Sequence, residues 1–167
     1  MSVTPDHEWT LSVLEEHQRL IHKVCWVYAD SPSDRDDLFQ EIAVRLLSAI
    51  RHYDRTRTLS TWIYRVALNV AIDFDRKRRR RRKMTLGLEG DQQSTSDEPR
   101  ENAEQLSELR RLLEQQTEAD RALLLLHLSG SSHGEIGEVL GISESNVGTR
   151  LSRLKKSLRE SVSADKN

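Results

Sequence analysis

Residues 84–102 read MTLGLEGDQQSTSDEPREN, a run of Gly, Ser, Gln and acid with few apolar side chains. Such a stretch cannot bury enough surface to offset the entropy of ordering it, so it predicts a flexible acidic linker. The linker divides the chain. Residues 1–83 and 103–167 must each close around a core of their own, and each is short enough to be one small module. With only three Trp, three Tyr, two Phe, seven Gly and three Pro in 167 residues, helices are favoured over a β-sandwich or barrel. The expected fold class is therefore all-α, as two small helical domains.

Apolar spacing supports this on both sides of the linker. Leu11, Leu14, Ile21, Val24, Cys25 and Tyr28 recur at helical intervals and predict a first helix ending near Asp30-Ser31-Pro32. Ser33 is expected to cap a second helix, whose buried stripe is Leu38, Ile42, Leu46, Ala49 and Ile50. Asp37, Gln40, Glu41, Val44 and Ser48 fall on its opposite, polar face. A short loop over 52–57 leads into a third helix with a predicted core stripe of Leu59, Ile63, Val66, Val70 and Phe74. Trp62, Arg65, Asn69, Asp73 and Arg76 line its other face.

Beyond the linker, a helix is predicted from Ala103 and a second one capped at Thr117 and stopped by Gly130. Ser132 and Glu135 have capping-box spacing and open a short helix, which Gly141-Ile142-Ser143 turns into the last one. There Val147, Leu151, Leu154 and Leu158 make the apolar stripe, and Arg150, Arg153, Lys156 and Arg159 flank it. A short helix, a glycine turn and a longer basic helix is the helix-turn-helix pattern. An ordinary helical hairpin has the same apolar spacing; the Leu-Gly-Ile-Ser turn and the base that follows favour the DNA-binding form.

A formal net charge of −1 argues at first against a nucleic-acid partner, but the average hides the distribution. Residues 1–83 carry 16 basic and 12 acidic residues, residues 84–105 carry 1 and 6, and residues 106–167 carry 9 of each. The first block ends in an unbroken basic octet, Arg76 to Lys83, on the same helix as Trp62, Arg65 and Asn69. A stacking aromatic, base-reading polar groups and then phosphate-binding charge would thus share one face. Trp62 taken alone reads equally well as a core residue.

Other classes find little support. A lone cysteine, Cys25, builds neither a disulfide framework nor a Cys-only zinc site, and its place on an apolar stripe suits an inert buried thiol. His17 and His22 do not share a helical face, and His127 and His133 straddle a turn, so neither pair suggests a metal site. No glycine-rich phosphate loop follows a strand. No apolar run approaches the ~20 residues of a membrane span, and the N-terminus lacks a signal-peptide pattern. A cytoplasmic, non-enzymatic protein without cofactor or metal is expected.

Three segments resemble one family, the extracytoplasmic-function sigma factors of bacterial RNA polymerase. DRDDLFQEIAVRLL is similar to the helix of their second region that binds the polymerase clamp. TLSTWIYRVALNVAIDFDRKRRRRR resembles the promoter-melting and minus-ten segment, and SHGEIGEVLGISESNVGTRLSRLKKSLRE the helix-turn-helix of the fourth region. The resemblance implies that residues 1–83 bind core polymerase and melt the promoter, that 84–102 is the linker, and that 103–167 binds the upstream element. It further implies that Asp37, Gln40, Glu41 and Arg45 dock on the coiled coil of the largest polymerase subunit. Thr58, Ser60, Thr61 and Trp62 would meet the opened non-template strand, and Arg65, Asn69, Asp73 and Arg76 would read or grip the minus-ten element. Ser145, Asn146, Thr149, Arg150 and Arg153 would read the minus-thirty-five duplex.

The partners implied are core polymerase, promoter DNA as duplex and melted strand, and an anti-sigma factor, with no membrane insertion. Gly148 stands where the family often carries Lys, and Gly134 and Gly137 replace better helix formers. A stand-alone helix-turn-helix regulator is the alternative reading; it has no need of the Trp62–Lys83 helix.

Overall fold

Seven α-helices and one 3₁₀ turn follow one another in the computed structural model, which describes residues 5–85 and 102–164. Among the described residues there is no strand. The chain divides into two compact units, residues 1–98 and 99–167.

In the first unit, α1 (Pro5–Tyr28), α2 (Pro32–Ala49) and α3 (Leu59–Thr85) pack pairwise against one another. Their shared core holds Val13, Ile21, Val24, Cys25 and Tyr28 from α1, and Leu38, Ile42 and Leu46 from α2. Ile63, Tyr64, Ala67, Leu68 and Ala71 come from α3. Each large apolar side chain removed from water contributes ~2 kcal/mol, so these stripes outweigh local preferences. Leu11, expected in the core, is instead 51% exposed, and Thr10 and Val13 occupy the buried positions at that end of α1.

The cap of α2 is Ser31 rather than Ser33: its hydroxyl accepts from the Asp34 N–H at 3.0 Å, and Pro32 is the first helical residue. A residue preceding proline is pushed out of the helical region, and Ser31 has φ −96° and ψ 154°. The proline therefore dictates which serine caps. Arg35 then reaches back, its Nε donating to the Ala29 carbonyl and its Nη2 to that of Asp30, both at 3.3 Å, so that two carbonyls past the end of α1 are satisfied.

The predicted inner stripe of α3 is displaced around the helix. Of Leu59, Ile63, Val66, Val70 and Phe74 only Ile63 is buried; the others are half-exposed flanks. The inner face is Thr61, Tyr64, Ala67, Leu68, Ala71 and Asp75. Both series repeat every three to four residues, and the one used contains two alanines, which let α3 approach α1 and α2 closely.

The second unit contains α4 (Ala103–Glu114), α5 (Glu118–Leu128), α6 (His133–Leu140) and α7 (Glu144–Ala164). Thr117 caps α5 by accepting from Asp120 N–H, and the reciprocal capping box of Ser132 and Glu135 opens α6. Residues Arg121 to Leu126 are buried consecutively, so α5 is enclosed on all sides. Gly141 ends α6 in the left-handed region at φ 69°, where an L side chain is strained. The turn closes tightly on Gly137: the Ile142 N–H donates to the Gly137 carbonyl at 3.0 Å. A Cβ on Gly137 would stand 2.6 Å from the Ile142 carbonyl oxygen, so this glycine is a requirement of the turn and not just a weak helix former.

Candidate nucleic-acid interface

The 27-residue α3 is long because nothing interrupts it: the basic octet lies inside the helix, which runs on to Thr85. At ~100° per residue, Arg65, Asn69, Trp62, Arg76, Asp73, Arg80 and Lys83 occupy one narrow arc, and from Trp62 to Lys83 it extends ~32 Å. All of these are exposed except Trp62, which is half-buried.

The other side of the same helix is used differently. Asp75 is fully buried; its Oδ1 accepts from Arg78 Nη2 at 2.8 Å and its Oδ2 from Arg79 Nε at 3.0 Å. Arg78 Nη1 also pairs with Asp30, just beyond the end of α1, and Arg82 Nη1 lies 3.4 Å from the same carboxylate. Burial works against the charge of Arg78, but hydrogen bonds and field from Asp30 and Asp75 outweigh it and raise the group above its ordinary value. The octet is thus not uniformly available for phosphate. Arg78 and Arg82 tie α3 to Asp30 and Arg79 is paired within the helix, whereas Arg80 and Lys83 continue the outer face.

At the start of α3 an aromatic ladder settles where Trp62 belongs. Its ring lies 5.1 Å from that of Tyr53, Tyr53 stacks on Trp9 at 6.1 Å, and the Arg55 guanidinium sits 5.3 Å from the Trp9 ring. The loop is further braced. Tyr53 Oη donates to the Arg57 carbonyl at 2.6 Å, and Asp54 Oδ1 accepts from the Thr56 hydroxyl and N–H at 2.7 and 2.9 Å. The hydroxyl first and the N–H second hold the Asp54 carboxyl below its ordinary value. Thr58 is exposed and Ser60 half-exposed, but Thr61 is 6% exposed and offers a nucleic acid almost no surface.

On α2, Asp37, Gln40, Glu41 and Arg45 are all exposed, opposite the Leu38-Ile42-Leu46 stripe. Val44, 66% exposed, stands among them. An acidic and polar surface with an apolar centre suits docking on another protein better than on DNA.

In the second unit, Ser143 Oγ accepts from the Asn146 N–H at 3.1 Å, a cap that exposes Ser145, Asn146 and Thr149 at the start of α7. The Thr149 hydroxyl donates back to the Ser145 carbonyl at 3.1 Å. Arg153 is exposed one turn beyond. Arg150 is placed otherwise: its Nη2 donates to Asp120 Oδ1 of α5 at 3.1 Å, so it borders the outer face of α7.

Several of these partners were not among the residues singled out from sequence. Asp75 stands three and four residues before Arg78 and Arg79, a detectable helical ion-pair spacing. Asp30, Asp120, Trp9 and Tyr53 reach their partners across long separations and carry no local signal. Cys25 is 1% exposed and burial pushes its thiol up to about 12, which makes it a packing residue.

Residues 13–81 match the family described as Sigma-70 region 2, and residues 106–158 match Sigma-70, region 4. The ECF RNA polymerase sigma factor SigX of Bacillus subtilis is 32% identical over 152 residues, covering 86% of this chain and 78% of that protein. SigW of the same organism is 27% identical over 169 residues, covering 94% and 90%. Among solved structures, the sigma factor RpoE of Bartonella quintana, in complex with the anti-sigma factor NepR, superposes with a TM-score of 0.73. The match covers 92% of this chain and 96% of that one at 17% identity, which shows the shared fold.

Proposed function

The chain belongs to the extracytoplasmic-function sigma factors of bacterial RNA polymerase, and from that premise we propose that it binds core polymerase, brings it to two-part promoters and helps open the start region. The observation that carries this reading is the outer face of α3, where Trp62, Arg65, Asn69, Asp73, Arg76, Arg80 and Lys83 follow one another. A regulator that binds only duplex through its helix-turn-helix has no use for such a helix.

In this reading α2 docks on the polymerase through Asp37, Gln40, Glu41 and Arg45, with Val44 as the apolar contact. Thr58, Ser60 and Trp62 meet the melted non-template strand, with the ring of Trp62 braced from behind by Tyr53. Arg65, Asn69, Asp73 and Arg76 read or grip the minus-ten element, and Arg80 and Lys83 hold phosphates beside it. Extruding a base costs a few kcal/mol, which strand contacts and the polymerase must offset. Ser145, Asn146, Thr149 and Arg153 face the minus-thirty-five duplex, with Arg150 at their edge.

The chain supplies recognition, and bond formation belongs to the polymerase in the cytoplasm. No helix of the described residues is long and apolar enough to cross a membrane. An anti-sigma factor is a further proposed partner, as the Bartonella relative was captured with one.

The test is co-migration of the purified chain with core polymerase, followed by promoter-dependent transcription by the complex. Failure to bind core, together with tight binding of duplex by the chain alone, would replace this reading with that of a stand-alone regulator.

A further inference from the structure

We propose that Asp120, in the first turn of α5, is a positioning residue that fixes Arg150 for base discrimination in the upstream promoter element; the inference rests on the sigma reading. The carboxylate of Asp120 is held independently of Arg150. Its Oδ2 accepts from Thr117 Oγ1 at 2.9 Å, and the same Thr117 oxygen accepts from the Asp120 backbone N–H at 3.2 Å. Thr117 is the N-cap of α5, so the pair is tied to the most enclosed helix of the unit. The remaining oxygen, Oδ1, receives Arg150 Nη2 at 3.1 Å across a separation of thirty residues.

Both side chains are partly open to solvent, Arg150 at 31% and Asp120 at 27%, so the pair borders a surface that DNA can reach. A guanidinium has five N–H donors in a rigid plane, and the bond to Asp120 engages only one of its nitrogens. The rest of the fork can serve a two-acceptor edge such as guanine O6 and N7. An arginine side chain loses rotamer entropy when fixed, and Asp120 imposes much of that loss before DNA arrives. The carboxylate also works against the wrong site. If Arg150 swings away to a phosphate, Asp120 is left as an uncompensated negative charge beside the duplex. Its effect is therefore on discrimination more than on affinity.

The experiment uses the full chain assembled with bacterial core polymerase and a duplex library carrying ten random base pairs upstream of a fixed minus-ten segment. The bound fraction is sequenced for wild type, Asp120→Ala, Arg150→Ala and the double variant. Arg150→Ala should lose about tenfold in preference at one base position. Asp120→Ala should lose most of the same preference at the same position while retaining its circular dichroism melting curve, and the double variant should be no worse than Arg150→Ala.

An unchanged preference profile for Asp120→Ala overturns the proposal, as does a uniform loss at every position with a lowered melting temperature, which would mark a plain structural tie. Retained preference in Arg150→Ala overturns it too. If wild type enriches no sequence, the sigma reading falls and this inference with it.

Discussion

Asp75 and Arg78 stand one helical turn apart on α3, and the buried carboxylate of the first accepts from Nη2 of the second at 2.8 Å. Because Arg78 also pairs with Asp30, the half of α3 that carries the octet is pinned to the junction of α1 and α2. Removing one partner from such a group leaves the other poorly compensated, which costs more than the pair contributes. Asp75→Ala should therefore destabilise the first unit by about 3 kcal/mol. All three tryptophans lie in that unit, so the shift can be followed by fluorescence in urea. An unchanged midpoint would mean that Asp30 alone suffices.

Charge reversal on α2 tests the polymerase-docking face. Asp37 and Glu41 are exposed and four residues apart, so Asp37→Arg with Glu41→Arg adds charge where nothing is packed. The double variant should keep its helicity and melting temperature but no longer co-migrate with core polymerase. Loss of the fold instead would show that this face supports the unit.

How much of this could be seen beforehand follows from the range of each interaction. The capping box Ser132–Glu135, the turn at Gly141 and the stripe Leu38-Ile42-Leu46 depend on residues a few positions apart, and they are legible in the sequence. The outer face of α3 is legible for the same reason, as a three-to-four repeat of polar groups. Its inner face is not, since two apolar series of equal period compete and only packing against both α1 and α2 decides between them. Neither Asp30–Arg78 nor Asp120–Arg150 has a local signature, being separated by 48 and 30 residues. The first of them takes Arg78 out of the basic run left for DNA.

Two glycines of the helix-turn-helix should respond in opposite senses. A Cβ on Gly148 would meet His133 Cε1 and Nδ1 at 3.7 Å, ordinary contact, so Gly148→Ala should stabilise α7 by ~1 kcal/mol. Gly137 faces the Ile142 carbonyl oxygen within 2.6 Å of where a Cβ would lie, and Gly137→Val should cost ~2 kcal/mol or more. Urea titration by circular dichroism measures both. Equal effects would mean that the turn yields without cost.

The second unit should weaken in mild acid. Burial first, and then the positive charges of Lys155 and His133, lower the His127 imidazole from its ordinary 6.5. The unfolded chain then binds this proton more readily than the folded unit. The stability linked to His127 is complete above 6.5 and is lost as the pH falls through the lower folded value. Every Trp, Tyr and Phe precedes residue 75, so this unit melts without a fluorescence signal of its own and is followed by circular dichroism. Its melting temperature should fall as the pH is lowered below about 6.5, less so in His127→Gln. An identical fall in that variant would assign the effect to another group.

Arg79 and Arg80 are neighbours of equal charge, which makes them a direct test of how the octet is divided. Arg79 gives its Nε to Asp75 at 3.0 Å, while Arg80 is exposed, ~100° further round, on the arc shared by Trp62 and Asn69. If the outer arc follows the nucleic-acid backbone, Arg80→Ala removes one phosphate contact. The slope of log affinity against log salt for promoter binding by the polymerase complex should then become shallower by ~0.9 for a duplex phosphate, or ~0.7 for a single strand. The loss should be similar on every promoter, because phosphates carry no sequence. Arg79→Ala should leave that slope in place and instead lower the unfolding free energy of the first unit, read by urea titration, by up to ~1 kcal/mol, a modest cost since the side chain is 46% exposed. Equal changes in slope for the two variants would mean that the ion pairs with Asp75 and Asp30 give way on DNA and that the whole octet, not one face of it, binds the backbone.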